Sequence, residues 1–197
     1  CAFAFGSAYY VNQASTRRDR HLFPCNLTER IFPQLLECNF IANPAMVLYH
    51  RWALVSIGAF DVAVSASADY DLYLRISWLH PVAHHDEPVV EYRRHEHNMS
   101  NDPCLMLDTT LTVLNMHYPQ FASIPALTAN YRRGLAFWKD FYGEQIVMGF
   151  YEHLRDGNIR KCLRCLTTLA RWYPERLAQP GTKLIQNLMD RYKALPR

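Results

Sequence analysis

Apolar positions in this chain fall into short clusters toward the N-terminus and into long helical stripes toward the C-terminus. Ala2 to Asn12 is rich in Phe, Tyr, Ala and Val with little polar alternation, and the polar run Gln13 to Arg20 breaks it. That predicts a buried strand followed by a turn. Behind Asn26-Leu27-Thr28, the spacing of Ile31, Leu35 and Leu36 predicts a short helix. Asn39 to Tyr49, with Pro44 inside it, reads as a loop leading into a strand. Arg51 to Val55 reads as one helical turn ending at Gly58, and Phe60-Asp61 opens a stretch of small and polar residues to Ser67.

From Asp69 to Leu79, the rows Tyr70, Leu74, Trp78 and Leu72, Ile76, Leu79 interleave, which predicts a helix apolar around most of its circumference and therefore buried. His80-Pro81 stops it. Val82 to His85 and Val89 to Tyr92 flank Asp86-Glu87-Pro88 and predict two short strands around a turn. After Asn101-Asp102-Pro103 the pattern is helical to about His117, with Pro103 suited to a first turn. Further on, Ile146, Val147, Phe150, Tyr151 and Leu154 form a stripe closed by Asp156-Gly157. Asn158 then caps a second stripe from Ile159 through Cys162, Leu163, Leu166 and Leu169 to Tyr173, before Pro174. A helical hairpin over 144–173 follows, with a last helix from Lys183 to Tyr192. The organisation expected is an α/β region over residues 1–102 and an all-α extension over 103–197.

Half of the 197 residues are hydrophobic and 20% are charged, so the chain can bury a sizeable core, as one unit or one with an appendage. No apolar run approaches the ~18 to 20 residues that cross a bilayer, and the N-terminus lacks a signal-peptide pattern. The six cysteines are scattered and read as reduced core residues, which predicts a cytoplasmic chain. Cys162-x-x-Cys165 has no second Cys/His pair at ligand spacing and reads as core packing. Asn26-Leu27-Thr28 and Asn98-Met99-Ser100 match a glycosylation acceptor pattern that means little without a secretory signal. The net charge of +3 is uneven: from Tyr131 onward there are 13 basic against 6 acidic residues, net +7, leaving −4 before it. That basic helical tail is suited to touch the inner face of a membrane or another subunit, and no nucleic-acid partner is expected.

Two polar constellations carry the candidate chemistry: the helix start Ala68-Asp69-Tyr70-Asp71, and Tyr92-Arg93-Arg94-His95 continuing to Ser100. With Asn39-Phe40-Ile41, Arg51 and Gly58-Ala59-Phe60-Asp61, they follow the order and approximate spacing of one family. Over roughly residues 1 to 115 the chain resembles the C-terminal half of the catalytic domain of family 2, GT-A-type inverting glycosyltransferases. In that family a Gly-Gly-Phe-Asp segment precedes a Glu-Asp-Tyr/Trp-Asp-Leu-x-Leu-Arg helix and then Tyr-Arg-x-His with a following Ser. Here the helix reads Ala68-Asp69-Tyr70-Asp71-Leu72-Tyr73-Leu74-Arg75, so Ala68 replaces the family's Glu.

The resemblance implies a partial GT-A-like domain that moves a sugar from a nucleotide-sugar donor to a hydroxyl of a glycan or lipid-linked acceptor. It places the catalytic base on Asp69, the donor-diphosphate contacts on Arg93, Arg94, His95 and Ser100, and a ligand of a divalent cation, Mg2+ or Mn2+, on His95. The helix N-terminus orients Asp69 and favours its ionised form. Asp71 and Arg75, four apart, predict a structural ion pair. The family's nucleotide-binding half and its metal-binding Asp-x-Asp precede the segment that Cys1 to Asn12 resembles, so the donor base, ribose and most metal ligands are expected outside this chain. Two other readings stay open: a non-catalytic binding or scaffolding module, and a small metal-dependent hydrolase built on His84, His85, Asp86, His95 and His97.

Overall fold

The structure, a computed structural model, describes residues 1–177 other than 13, 15–17, 22–26, 29 and 97. The helix expected over Lys183 to Tyr192, together with Cys25, Asn26 and His97, lies outside the described residues. The chain is mixed α/β, with a small four-stranded sheet and several helices.

The first strand, β1 (Phe3–Val11), is the centre of the sheet. Strand β4 (Ala83–Arg93) runs parallel along one edge from Ala4 to Val11. The other edge is shared by two short antiparallel strands, β3 (Val47–Tyr49) against Phe3 to Phe5 and β2 (Arg18–Arg20) against Tyr9 to Val11. Consecutive residues from Phe5 to Ala8 are buried, so both faces of β1 are covered there, which accounts for its apolar, non-alternating composition. β4 is one strand where the pattern predicted two around a turn. Asp86, Glu87 and Pro88 sit inside it at register shifts against Phe5, Ser7 and Ala8. Pro88 has no N–H to donate, and a bulged strand paired on one side tolerates that loss.

Between β1 and β4 lie α1 (Phe32–Glu37), β3, α2 (Arg51–Ser56), a 3-10 turn over Val62–Ser67 and α3 (Ala68–Leu79). Tyr70, Leu72, Tyr73, Leu74 and Ile76 of α3 are all buried, and full burial of each large apolar side chain contributes about 1.5–3 kcal/mol. Phe3 meets Tyr73 at 5.9 Å between ring centroids, which ties the sheet to this helix.

The buried polar group at the centre of α3 is Asp71. Its carboxylate accepts from Arg75 Nε at 2.8 Å and from His117 Nε2 at 2.9 Å. The Arg75 guanidinium also donates to the carbonyls of Ile57 and Ala59, so one carboxylate fastens the Gly58 turn, α3 and α4 (Pro103–Phe121) together. Ala59 holds a left-handed φ of 57° within that turn.

The helical part continues through α5 (Pro125–Arg155), α6 (Ile159–Trp172) and α7 (Pro174–Leu177). Gly157 turns at φ 68° and the Asn158 side chain accepts from Lys161 N at 3.2 Å, forming the predicted hairpin turn. α4 ends at Phe121, close to the expected end near His117, whereas α5 begins at Pro125, well before the stripe that signalled it. Their residues share one hydrophobic core with the sheet and α3, so Leu107, Leu111, Trp138 and Ile146 belong to the same cluster as Phe3 and Leu72. Against α1 the fit is close. Asn130 donates to Glu37 Oε1 at 2.7 Å, and a Cβ on Gly134 would stand 1.9 Å from the Leu36 carbonyl oxygen.

Asp71→Asn is expected to cost on the order of 3 kcal/mol at neutral pH, read from urea unfolding. Burial pushes the Asp71 carboxyl up, but the bonds from His117 and Arg75 and the Arg75 charge together hold it below its ordinary value of 3.8. The contribution is therefore present above that value and lost as pH falls through the folded one, so the gap between variant and wild type narrows in acid. Gly134→Ala is expected to cost ~1–3 kcal/mol by separating α5 from α1, seen as a lower urea midpoint.

Candidate functional site

A cavity of about 530 Å³ opens between the end of the sheet, the start of α3 and the middle of α5. It falls inside the roughly 300–1,000 Å³ usual for small-ligand sites. Six parts of the chain line it: Tyr10 from β1, Asn39 and Asn43 after α1, Ser67 and Asp69 at α3, Tyr92, His95 and Ser100 at and after the end of β4, Met106 and Thr110 on α4, and Phe137, Trp138, Phe141 and Tyr142 on α5.

Asp69 sits in the first turn of α3, where its Oδ1 accepts from the Tyr70 N–H at 2.8 Å. Burial pushes this carboxyl above its ordinary value, although the Tyr70 amide and its own amide favour the ionised form. Helix orientation favouring the ionised form was the sequence expectation; desolvation by burial adds the opposing and larger effect. Asp71, two residues on, is tied to Arg75 and His117 and borders a different cavity with them. The two carboxylates of Asp69-Tyr70-Asp71 therefore serve separate places.

His95 and Ser100 line the cavity with Asp69. The turn holding them is built from its own polar groups. Asn98 Oδ1 accepts from His95 N at 3.2 Å, its Nδ2 donates to Tyr92 Oη at 3.1 Å, and Asn101 Nδ2 donates to His95 O at 2.8 Å. Arg93 and Arg94 are not among the lining residues. Arg93 is exposed beside the half-buried Tyr92, as strand alternation requires, while Arg94 places its guanidinium 4.0 Å from the centre of the Tyr10 ring. The Tyr10 hydroxyl faces His21 Nδ1 at 3.0 Å, and His21 Nε2 donates to the Phe40 carbonyl at 2.7 Å, so the ring joins β1 to the loop after α1.

Four aromatic rings on α5 form the wall that the sequence pattern missed. Trp138 stacks on Tyr142 at 5.4 Å, Phe137 stacks on Phe141 at 5.9 Å, and both Phe rings are exposed. Their signal is the pair of aromatic doublets Phe137-Trp138 and Phe141-Tyr142, which repeat one helical turn apart. Asn39 Oδ1 is also buried without a partner among the described residues.

Among the described residues, no group of three or more His, Cys, Asp or Glu side chains could hold a metal ion. His84 stacks on Phe5 at 5.7 Å while His85 is exposed, and His95 lies in the cavity, so these three do not converge. One imidazole in the cavity is not a metal shell. The cysteines Cys1, Cys38, Cys104, Cys162 and Cys165 are free thiols, with Cys104 and Cys165 touching at 4.0 Å between α4 and α6. No family model matches this chain, and no curated protein or solved structure matches it either.

A carboxyl held above its ordinary value burdens the fold once ionised. Because the folded state retains this proton more tightly, that burden grows as pH rises from 3.8 through the folded value. Asp69→Asn is thus expected to raise the thermal midpoint at neutral pH, with the gain vanishing as pH falls below the ordinary carboxylate range.

Proposed function

We propose that the chain is the acceptor-side half of an inverting, GT-A-like sugar transferase with Asp69 as its base. The observation that carries this reading is the cavity, which gathers Asp69, His95 and Ser100 from two elements 26 or more positions apart in the chain. A general base works best with a pKa near the operating pH, and burial moves Asp69 in that direction.

In the proposed reaction Asp69 takes the proton of an acceptor hydroxyl. The freed oxygen bonds to the anomeric carbon as the bond from that carbon to the nucleoside diphosphate breaks. The diphosphate leaves with the electron pair, and Asp69 returns its proton to water. The rings of Phe137, Phe141, Trp138 and Tyr142 suit the C–H faces of a sugar acceptor, and Asn39 Oδ1 suits one of its hydroxyls. His95 and Ser100 lie on the side assigned to the donor diphosphate, and Arg94 acts through Tyr10. The described residues do not form a divalent-cation site by themselves. The nucleotide-sugar's base and ribose are taken to bind a nucleotide-binding half outside this chain.

The test is transfer from a panel of nucleotide-sugars to glycan and lipid-linked acceptors by the protein joined to that half. Asp69→Asn is expected to lower kcat by roughly 10²–10⁴-fold with donor binding nearly unchanged, and wild-type turnover in that variant refutes Asp69 as the base. Phe141→Ala is expected to raise the acceptor KM about tenfold and leave the donor KM alone.

A further inference from the structure

Helix α6 is divided into three lengthwise stripes. Cys162, Cys165, Leu169 and Trp172 face the core. Arg160, Arg164, Thr167 and Arg171 form an exposed polar stripe at the same spacing. The third stripe, Ile159, Leu163, Leu166 and Ala170, is apolar and exposed, at 60% for Ile159 and 56% for Leu163. At the adjoining end of α5, Tyr151 and Leu154 are exposed as well. A helix needs only one apolar stripe to pack on its own core, and no packing among the described residues accounts for the second.

The charge beside that stripe identifies what covers it. Over Ile159–Trp172 there are four basic residues and no acidic one. Arg164 pairs with Asp102 at 2.8 Å and Arg171 with Asp108 at 2.9 Å, whereas Arg160 and Lys161 make no ion pair among the described residues. Lys161 lies on the far side of α6, lining a pocket with Glu152 and His153, whereas Arg160, Arg164 and Arg171 border the apolar stripe and Arg160 there is unpaired among the described residues. Apolar residues bordered by a row of arginines match a surface of lipid phosphates over acyl chains. No helix among the described residues is long and apolar enough to cross a membrane, so the contact is with the surface.

We propose that α6 and the adjoining end of α5 dock on an anionic bilayer. Ile159, Leu163, Leu166 and Leu154 enter the boundary between headgroups and acyl chains, and Arg160 sits against the phosphates. This proposal stands on its own, whether or not the cavity transfers sugar.

The test is sedimentation of the 197-residue chain with vesicles. Phosphatidylcholine vesicles carrying about one-third phosphatidylglycerol are expected to pellet it, and pure phosphatidylcholine vesicles to leave it in solution. Leu163→Glu is expected to lower the partition coefficient about tenfold, and Arg160→Glu about fivefold. Raising salt to about 0.5 M is expected to release much of the bound wild type. These side chains are exposed, and unchanged circular dichroism confirms that the variants fold; Leu154→Glu supplies a second apolar position. The proposal is overturned if anionic vesicles do not bind the chain, or if binding ignores both apolar variants. It is equally overturned if the wild type forms a dimer that Leu163→Glu dissociates while vesicles leave it untouched, because the face then belongs to a second copy.

Discussion

Asp71 brings a carboxylate into the interior, and its two partners decide how three separate pieces of chain are placed. Both oxygens accept hydrogen bonds, one from His117 on α4 and one from Arg75 a turn further along α3. The Gln120 side chain lies 3.3 Å from His117 Nδ1 and can donate to it, consistent with the proton on Nε2 facing Asp71. Arg75 spends its remaining donors on the carbonyls around Gly58 and Ala59. Buried ion pairs of this kind are costly to break and contribute more to specificity of arrangement than to net stability. Here the arrangement specified is the orientation of α3, and its first turn carries Asp69.

The cavity depends on that orientation and on a second contact far from it. α5 reaches the cavity because Gly134 lets its backbone lie against the Leu36 carbonyl, while Asn130 and Arg133 grip Glu37. From there Phe137, Trp138, Phe141 and Tyr142 follow along the helix toward Asp69. The α-helical part therefore supplies a wall of the cavity. Asp69 shares the cavity with those rings, and its own burial holds its carboxyl above the ordinary value.

Local features were legible in the sequence. The all-round apolar character of residues 69–79 announced a buried helix, Asp71 and Arg75 announced their pair by spacing, and Gly157 with Asn158 announced the hairpin turn. Asp86-Glu87-Pro88 misled because turn residues also occur in bulged strands, where the partner strand rather than the tripeptide sets the backbone. His117 was invisible as the partner of Asp71, since 46 positions separate them and only the packing of α4 on α3 joins them. The same reasoning covers the cavity: Asp69, His95 and Ser100 stood out as residue types, whereas the α5 rings lie in a stretch that no apolar stripe singled out. Nothing in the spacing distinguished Arg93 and Arg94, which leave the cavity by strand alternation and by stacking on Tyr10.

The irregular strand β4 has one more consequence. Its outer edge has no neighbour among the described residues, and an open edge is where a second molecule can add a strand and begin to aggregate. Pro88 interrupts the row of donors there, the bulge beside it spoils the spacing another chain would have to match, and exposed His85, Glu87, Glu91 and Arg93 add charge or polarity along its length. A tripeptide that looked like a turn thus acts as a guard against intermolecular pairing, keeping the sheet small at the cost of its own regularity.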